Sequence, residues 1–211
     1  MKRKQQIVEN PVGFRLFRMC ARPVFYLLFH PKIFGRENVP RSGGVVLAVN
    51  HKGILECFLA ADATKRNVHY LAAGYLFDLP IVGTLMKKFG AVRVDRAKDG
   101  DDPKNNSAYQ YAVEYLQRGH LVYINPEGTR NKGETRQDLL LPLRHGAAAM
   151  VQKTGARLVP VAVVGDFNII GRSVRMYVGK PIKTEGLSVE QTTEKLYDIM
   201  YKMLKDNGEK I

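Results

Sequence analysis

Cysteine is nearly missing from this chain of 211 residues, with only Cys20 and Cys57 present. Far apart in sequence, they offer neither a disulfide framework nor a Cys-x-x-Cys metal pair, and a reducing cytoplasm is the simplest compartment. Serine is scarce too: there are four, and none stands in Gly-x-Ser-x-Gly, so no nucleophile elbow is written here. The charge-free apolar run at 23–31 is far shorter than the roughly 20 residues a membrane-spanning helix needs. The basic N-terminus is not followed by an uninterrupted apolar stretch with a small-residue cleavage site, so it does not read as a signal peptide. Acidic residues are in deficit as well, 20 against 33 Lys and Arg, which leaves a net charge of +13. With 45% hydrophobic and 25% charged residues the chain is otherwise ordinary, which excludes wholesale disorder and points the charge excess at an anionic partner.

The excess is uneven. Residues 1–36 hold eight Lys and Arg against Glu9 alone, so +7 of the +13 lies in the first sixth of the chain. There Asn10 and Pro11 form a helix-opening pair, and Phe14, Phe17, Ala21, Val24 and Leu28 recur at helical spacing beside Arg15, Arg18 and Arg22. Pro23 should end or restart the helix, giving two short amphipathic helices over 1–35. They suit either a membrane-interface anchor facing anionic headgroups or a helical hairpin packed on the parent domain.

Over 36–211 the chain alternates strands and helices. Short apolar runs at 43–49, 68–72, 90–95, 121–124, 158–164 and 173–178 read as strands. Helical patterns fall at 53–65, at 103–118 behind the Asp102-Pro103 start, at 146–153, and beyond Ser188, where Gln191 completes a capping box. The expected fold class is α/β, a mainly parallel central sheet flanked by helices, with the N-terminal two-helix segment appended.

Three segments beside strand ends could carry chemistry. Asn50-His51 leaves a strand, and Glu56 follows five residues after the histidine. In a regular helix that spacing puts side chains about 140° apart, so the two meet only if His51 sits in the strand-to-helix turn. A carboxylate on one ring nitrogen would then fix the tautomer and free the other as a base. The loop Asn125-Pro126-Glu127-Gly128-Thr129-Arg130 also follows a strand and presents a carboxylate, a hydroxyl and a guanidinium together. Val94-Asp95-Arg96 ends a strand on an arginine, the preferred fork for phosphate. Two apolar runs, 75–82 and 139–141, could border an apolar channel, touch lipid or belong to the core.

Taken together these residues resemble the glycerophosphate acyltransferase superfamily, in particular the small bacterial 1-acylglycerol-3-phosphate acyltransferases. The first motif, Asn-His followed by four residues and an acid, is matched by Asn50, His51 and Glu56; the second by Val94-Asp95-Arg96; the third, Pro-Glu-Gly-Thr-Arg, by residues 126–130 unchanged; the fourth by Val159-Pro160-Val161. The chain departs from the pattern twice: the acid is usually Asp rather than Glu56, and an aromatic residue commonly stands where Asn125 is.

The resemblance implies an acyltransferase domain over 36–211 that moves an acyl group from coenzyme A or acyl carrier protein onto the free hydroxyl of 1-acyl-sn-glycerol 3-phosphate. His51 would take the hydroxyl proton and Glu56 would hold the imidazole. Arg96 and Arg130 would bind the acceptor's phosphate, with Glu127, Gly128 and Thr129 shaping its pocket and Lys52, Arg144 and His145 adding positive charge. No metal or redox cofactor is called for. The implied setting is the cytoplasmic face of the cell membrane, held peripherally through anionic lipids. A different lyso-lipid or glycolipid acceptor is an alternative. Nucleic acid is not an expected partner, because no helix-turn-helix, Cys/His finger or RNA-recognition motif accompanies the charge.

Overall fold

The computed structural model describes residues 11–53, 55–95, 107–131, 139–165, 167 and 174–208. Its strands are β1 (Lys32–Phe34), β2 (Val45–Val49), β3 (Val68–Ala73), β4 (Val92–Val94), β5 (Leu121–Ile124), β6 (Arg157–Val164) and β7 (Arg175–Val178). They form one seven-stranded sheet in the order β1-β7-β6-β2-β5-β3-β4. Every neighbouring pair is parallel except β6 and β7. Helices α1 (Pro11–Phe29), α2 (Glu56–Ala63), α3 (Pro80–Lys88), α4 (Ser107–Gln117), α5 (Gly146–Thr154) and α6 (Val189–Asp206) complete the described architecture, with short 3₁₀ turns at Arg36–Asn38 and Gly74–Asp78.

The mainly parallel α/β sheet expected from the sequence is what forms. Central β2 is buried along its whole length, as a strand covered on both faces must be. Its side chains alternate between two cores. Val46 and Ala48 join Ala112, Met150, Leu196 and Met200 under α4, α5 and α6. Val45, Leu47 and Val49 join Phe14, Phe25, Phe29 and Leu59 under α1 and α2. The capping box at Ser188 is formed in full, its hydroxyl accepting from the Gln191 N–H and its own N–H donating to the Gln191 side chain.

Three elements differ from the sequence reading. Both helical stretches flanking Pro23 are present, but they run on as one helix, α1. An interior proline costs about 3 kcal/mol through a lost hydrogen bond and a ring clash. Buried Phe14 on one side of it and Phe25 and Phe29 on the other hold both halves to the same core. The apolar run at 75–82 forms the 3₁₀ turn and the start of α3, and the three-residue strand β1 carries too little pattern to be read from sequence. Asn10 and Asp102-Pro103, read as helix starts, lie outside the described residues.

Candidate active site

Parallel strands β2 and β5 end side by side, and the two loops leaving them build the site. Asn50 closes β2: its amide donates to the Val163 carbonyl (3.0 Å) and accepts from the Val163 N–H (2.6 Å), which ties the strand end to β6. The next residue, His51, is gripped through its backbone. Its N–H donates to Glu127 Oε1 (2.6 Å) and its carbonyl accepts from the Asn131 N–H (2.9 Å). The loops after β2 and β5 are therefore joined at the histidine.

Glu56 is the first residue of α2, where the helix dipole favours a negative charge. The four residues between are enough for the chain to turn back, so His51 Nδ1 lies 2.7 Å from Glu56 Oε1. The carboxylate is fully buried and takes four further hydrogen bonds. Oε2 accepts from the Lys52 and Gly53 N–H groups (2.7 and 2.8 Å), and Oε1 from the Tyr123 hydroxyl (3.2 Å) and the Asn125 amide (2.9 Å). Burial holds the Tyr123 hydroxyl well above its ordinary pKa, so it stays a donor. With the carboxylate as acceptor, the imidazole carries its proton on Nδ1 and keeps the Nε2 lone pair free. The His51 side chain is 27% exposed and lines a cavity of about 290 Å³.

That cavity is mostly apolar. Phe14 of α1, Phe58 of α2, Leu85 of α3 and Phe89 just after it wall it, and His51, Asn125 and Arg130 are among its polar members. Of the two runs that could border a channel, 75–82 contributes Tyr75, Leu76 and Val82 to the wall. Leu139 and Leu140 are buried instead, Leu140 in the core under α4 to α6. The wall is braced from outside by Arg93 of β4, which reaches Asp78 (2.9 Å) and Asp95 (2.7 Å). Asp95 of the Val94-Asp95-Arg96 motif thus pairs with Arg93.

The structure brings His51, Glu56, Glu127, Gly128, Thr129 and Arg130 into one neighbourhood. Glu127 is buried, and both of its oxygens are taken by backbone, Oε1 by His51 and Oε2 by the Leu141 N–H (3.0 Å). Burial raises its pKa even though these donors pull the other way. Gly128 adopts φ +69°, a left-handed conformation that suits glycine, and its N–H closes the turn onto the Asn125 carbonyl (3.0 Å). Thr129 and Arg130 are exposed. Arg96 lies outside the described residues. His145 turns away, its Nδ1 3.1 Å from the Thr193 hydroxyl on α6, and Arg144 meets the loop through its backbone N–H on Pro126 (2.8 Å). Cys57 lines the cavity, but burial and the neighbouring Glu56 push its thiol up to about 12, which leaves almost no thiolate at neutral pH. Among the described residues no three His, Cys, Asp or Glu side chains gather as metal ligands.

Sequence reasoning missed Tyr123 and the inward use of the N-terminal arginines. A tyrosine in the otherwise aliphatic strand 121–124 was the available signal for the first. The second had no signal, because the partners are backbone carbonyls and Asp62 on α2. Arg18 donates to the Ala61 (3.1 Å) and Thr64 carbonyls at the end of α2. Arg36 (2.8 Å), Arg22 (3.4 Å) and the Tyr26 hydroxyl (2.5 Å) converge on the Asp62 carboxylate. Among the described residues, Arg18, Arg22 and Arg36 therefore fasten α1 and the following turn to α2.

A mainly parallel sheet covered on both faces sets a hydrogen-bonded histidine and carboxylate at its strand ends, with the histidine opening onto a mostly apolar cavity, an arrangement suited to base catalysis beside an apolar pocket. The chain belongs to the acyltransferase family, whose model matches residues 30–164, and it is an acyltransferase. A 1-acyl-sn-glycerol-3-phosphate acyltransferase of Bacillus subtilis is 31% identical over 154 residues, covering 71% of this chain and 72% of that protein. One from Borreliella burgdorferi is 25% identical over 191 residues, covering 90% and 70%. Among solved structures, the 1-acyl-sn-glycerophosphate acyltransferase PlsC of Thermotoga maritima superposes with a TM-score of 0.75 over 92% of this chain and 78% of that one; at 19% identity this is a likeness of fold.

Proposed function

We propose that this acyltransferase acylates the free hydroxyl of 1-acyl-sn-glycerol 3-phosphate, giving phosphatidic acid. The observation that carries the reading is His51, held by the buried Glu56, lining one apolar cavity together with Arg130. His51 Nε2 removes the proton from the acceptor hydroxyl as its oxygen attacks the thioester carbonyl. Glu56 keeps the ring oriented and stabilises the imidazolium that forms. The tetrahedral intermediate collapses by expelling the thiolate, which leaves with a proton from His51. Arg130, with Arg96, holds the acceptor's phosphate, and Glu127, Gly128 and Thr129 shape the loop that receives it. Every step is proton or acyl transfer, so the reading assigns no metal or redox cofactor. Coenzyme A or acyl carrier protein serves as carrier of the donor thioester.

The same reading places the enzyme peripherally on the cytoplasmic face of the membrane, against anionic lipids. Val12, Leu16, Met19 and Leu27 form an exposed apolar stripe at helical spacing on α1, and Ile81 at the start of α3 is exposed as well. Among the described residues no helix is long and apolar enough to cross a membrane.

The test is an assay of purified protein with acyl-coenzyme A and acyl carrier protein donors against a panel of lyso-acceptors, products being resolved by mass spectrometry. Phosphatidic acid is the expected product, and Arg130→Ala should raise KM for the phosphate acceptor. Preference for a phosphate-free lyso-lipid would overturn the acceptor assignment.

A further inference from the structure

Glu56 and Asn125, the two positions at which the chain departs from the pattern it resembles, are hydrogen-bonded to each other. The Asn125 side-chain NH₂ faces three acceptors: Glu56 Oε1 (2.9 Å), the Val49 carbonyl (2.9 Å) and the Tyr123 hydroxyl oxygen (3.0 Å). A carbonyl and a carboxylate can only accept, so the amide is oriented by chemistry with its nitrogen toward them. Val49 is the last residue of β2, two before His51, so the amide fixes the carboxylate relative to the strand that delivers the histidine. Of the five donors on this buried carboxylate, two are backbone N–H groups on Oε2, and three, from His51, Tyr123 and Asn125, crowd onto Oε1. With Oε2 held by backbone, Tyr123 and Asn125 are the side-chain donors besides His51 that meet Oε1, the atom His51 Nδ1 faces.

We propose that Asn125 is a positioning residue for the acyl-transfer site: its amide, seated on the Val49 carbonyl, locks Glu56 Oε1 where it holds the His51 ring, so Glu56 and Asn125 form one matched unit. This rests on the reading of His51 as general base. Without the amide, Tyr123 is the one side-chain donor left to Oε1 besides His51, and with only the backbone grip on Oε2 beside it the imidazole loses its fixed aim, whereas the substrate-binding groups at Arg130 and along the apolar wall are untouched. A misplacement of about 1 Å at a reacting group can cost about 10²-fold in rate.

Asn125 also lines the cavity, so the experiment must separate positioning from substrate contact. Steady-state kinetics of Asn125→Leu, a near-isostere without donors, should show kcat reduced roughly 10- to 100-fold with KM for both substrates within about twofold of the parent. Proton NMR should show the downfield His51 Nδ1–H resonance moved or broadened, with the signal assigned by its absence in His51→Ala. If Asn125→Leu does not fold, the isosteric Asn125→Asp carries the same two readouts, because it replaces the donor with an acceptor. A KM rise at unchanged kcat would make Asn125 a substrate contact and overturn the proposal, as would unaltered kcat with an unmoved resonance. His51→Ala separates the failures. If it is inactive while Asn125→Leu is normal, only the positioning role falls; if it retains full turnover, the general-base reading falls.

Discussion

The two faces of the sheet are covered differently. Under α4, α5 and α6 the core is closed by large side chains such as Tyr115, Met150, Leu196, Met200 and Leu204, all 3% exposed or less. Under α1, α2 and α3 the coverage is incomplete. Helix α2 has only eight residues, and apart from Leu59 its buried apolar residues are Ala60, Ala61 and Ala63; the space left beside it is the cavity. One face is filled; the other is underfilled and holds the cavity onto which His51 opens. The same strand, β2, feeds both, since its alternate residues point to opposite sides.

This contrast can be broken from either side. The largest effect belongs to the cavity face: His51→Ala should lower turnover by about 10²- to 10⁴-fold, the range of a lost general base, while thermal unfolding stays close to that of the parent. Near-normal turnover in a folded variant would remove His51 from the mechanism. On the filled face the reverse is expected. Leu196→Ala should cost about 2–5 kcal/mol in denaturant unfolding and leave kcat of the folded fraction unchanged. A smaller loss of about 0.5–2 kcal/mol is expected for Ser188→Ala, which removes the cap of α6. Activity falling ahead of stability in either variant would mean that the two faces are coupled.

The smallest expected effect concerns the fastening of α1. Burial alone would raise the Asp62 pKa, but the Tyr26 hydroxyl and the Arg36 and Arg22 guanidiniums outweigh it and hold the carboxyl below its usual range. A depressed folded-state value adds stability above the unfolded carboxyl's pKa of about 3.9, and that stability is lost as pH falls through the lower native value. Unfolding curves for the parent and Asp62→Asn should therefore differ at neutral pH and converge in strong acid. A gap that stays constant down to low pH would show that the Asp62 charge is not what secures α1.

Much of this was legible beforehand. The strand runs at 43–49, 121–124 and 158–164 were readable because a buried parallel strand is an unbroken apolar run, and the capping box at Ser188 because it is a contiguous pattern. His51, Glu56 and the loop at 125–130 were readable because their motifs are short and contiguous. The cavity was not. It depends on which helices are short and how α1 and α3 meet, and Phe14 against Phe89, ring centroids 5.6 Å apart, joins residues 75 positions apart. Nor was the continuity of α1 through Pro23, since local chemistry breaks a helix there and only packing on both sides restores it.

By itself, then, the sequence determined the elements, their alternation and the residue types able to move a proton, because those follow from periodicity and from chemistry contained in a few neighbouring positions. Tertiary structure alone decided what the charges and polar groups face. From sequence, Arg18, Arg22 and Arg36 could serve a lipid surface or the parent domain; folding places Asp62 and the end of α2 beside them. Asn125 read as an oddity of the loop until folding set it 2.9 Å from a buried carboxylate 69 residues earlier. The physical reason is the same in both cases: a buried or half-buried polar group must find its partner in the folded chain, and the nearest partner in space bears no fixed relation to distance along the sequence.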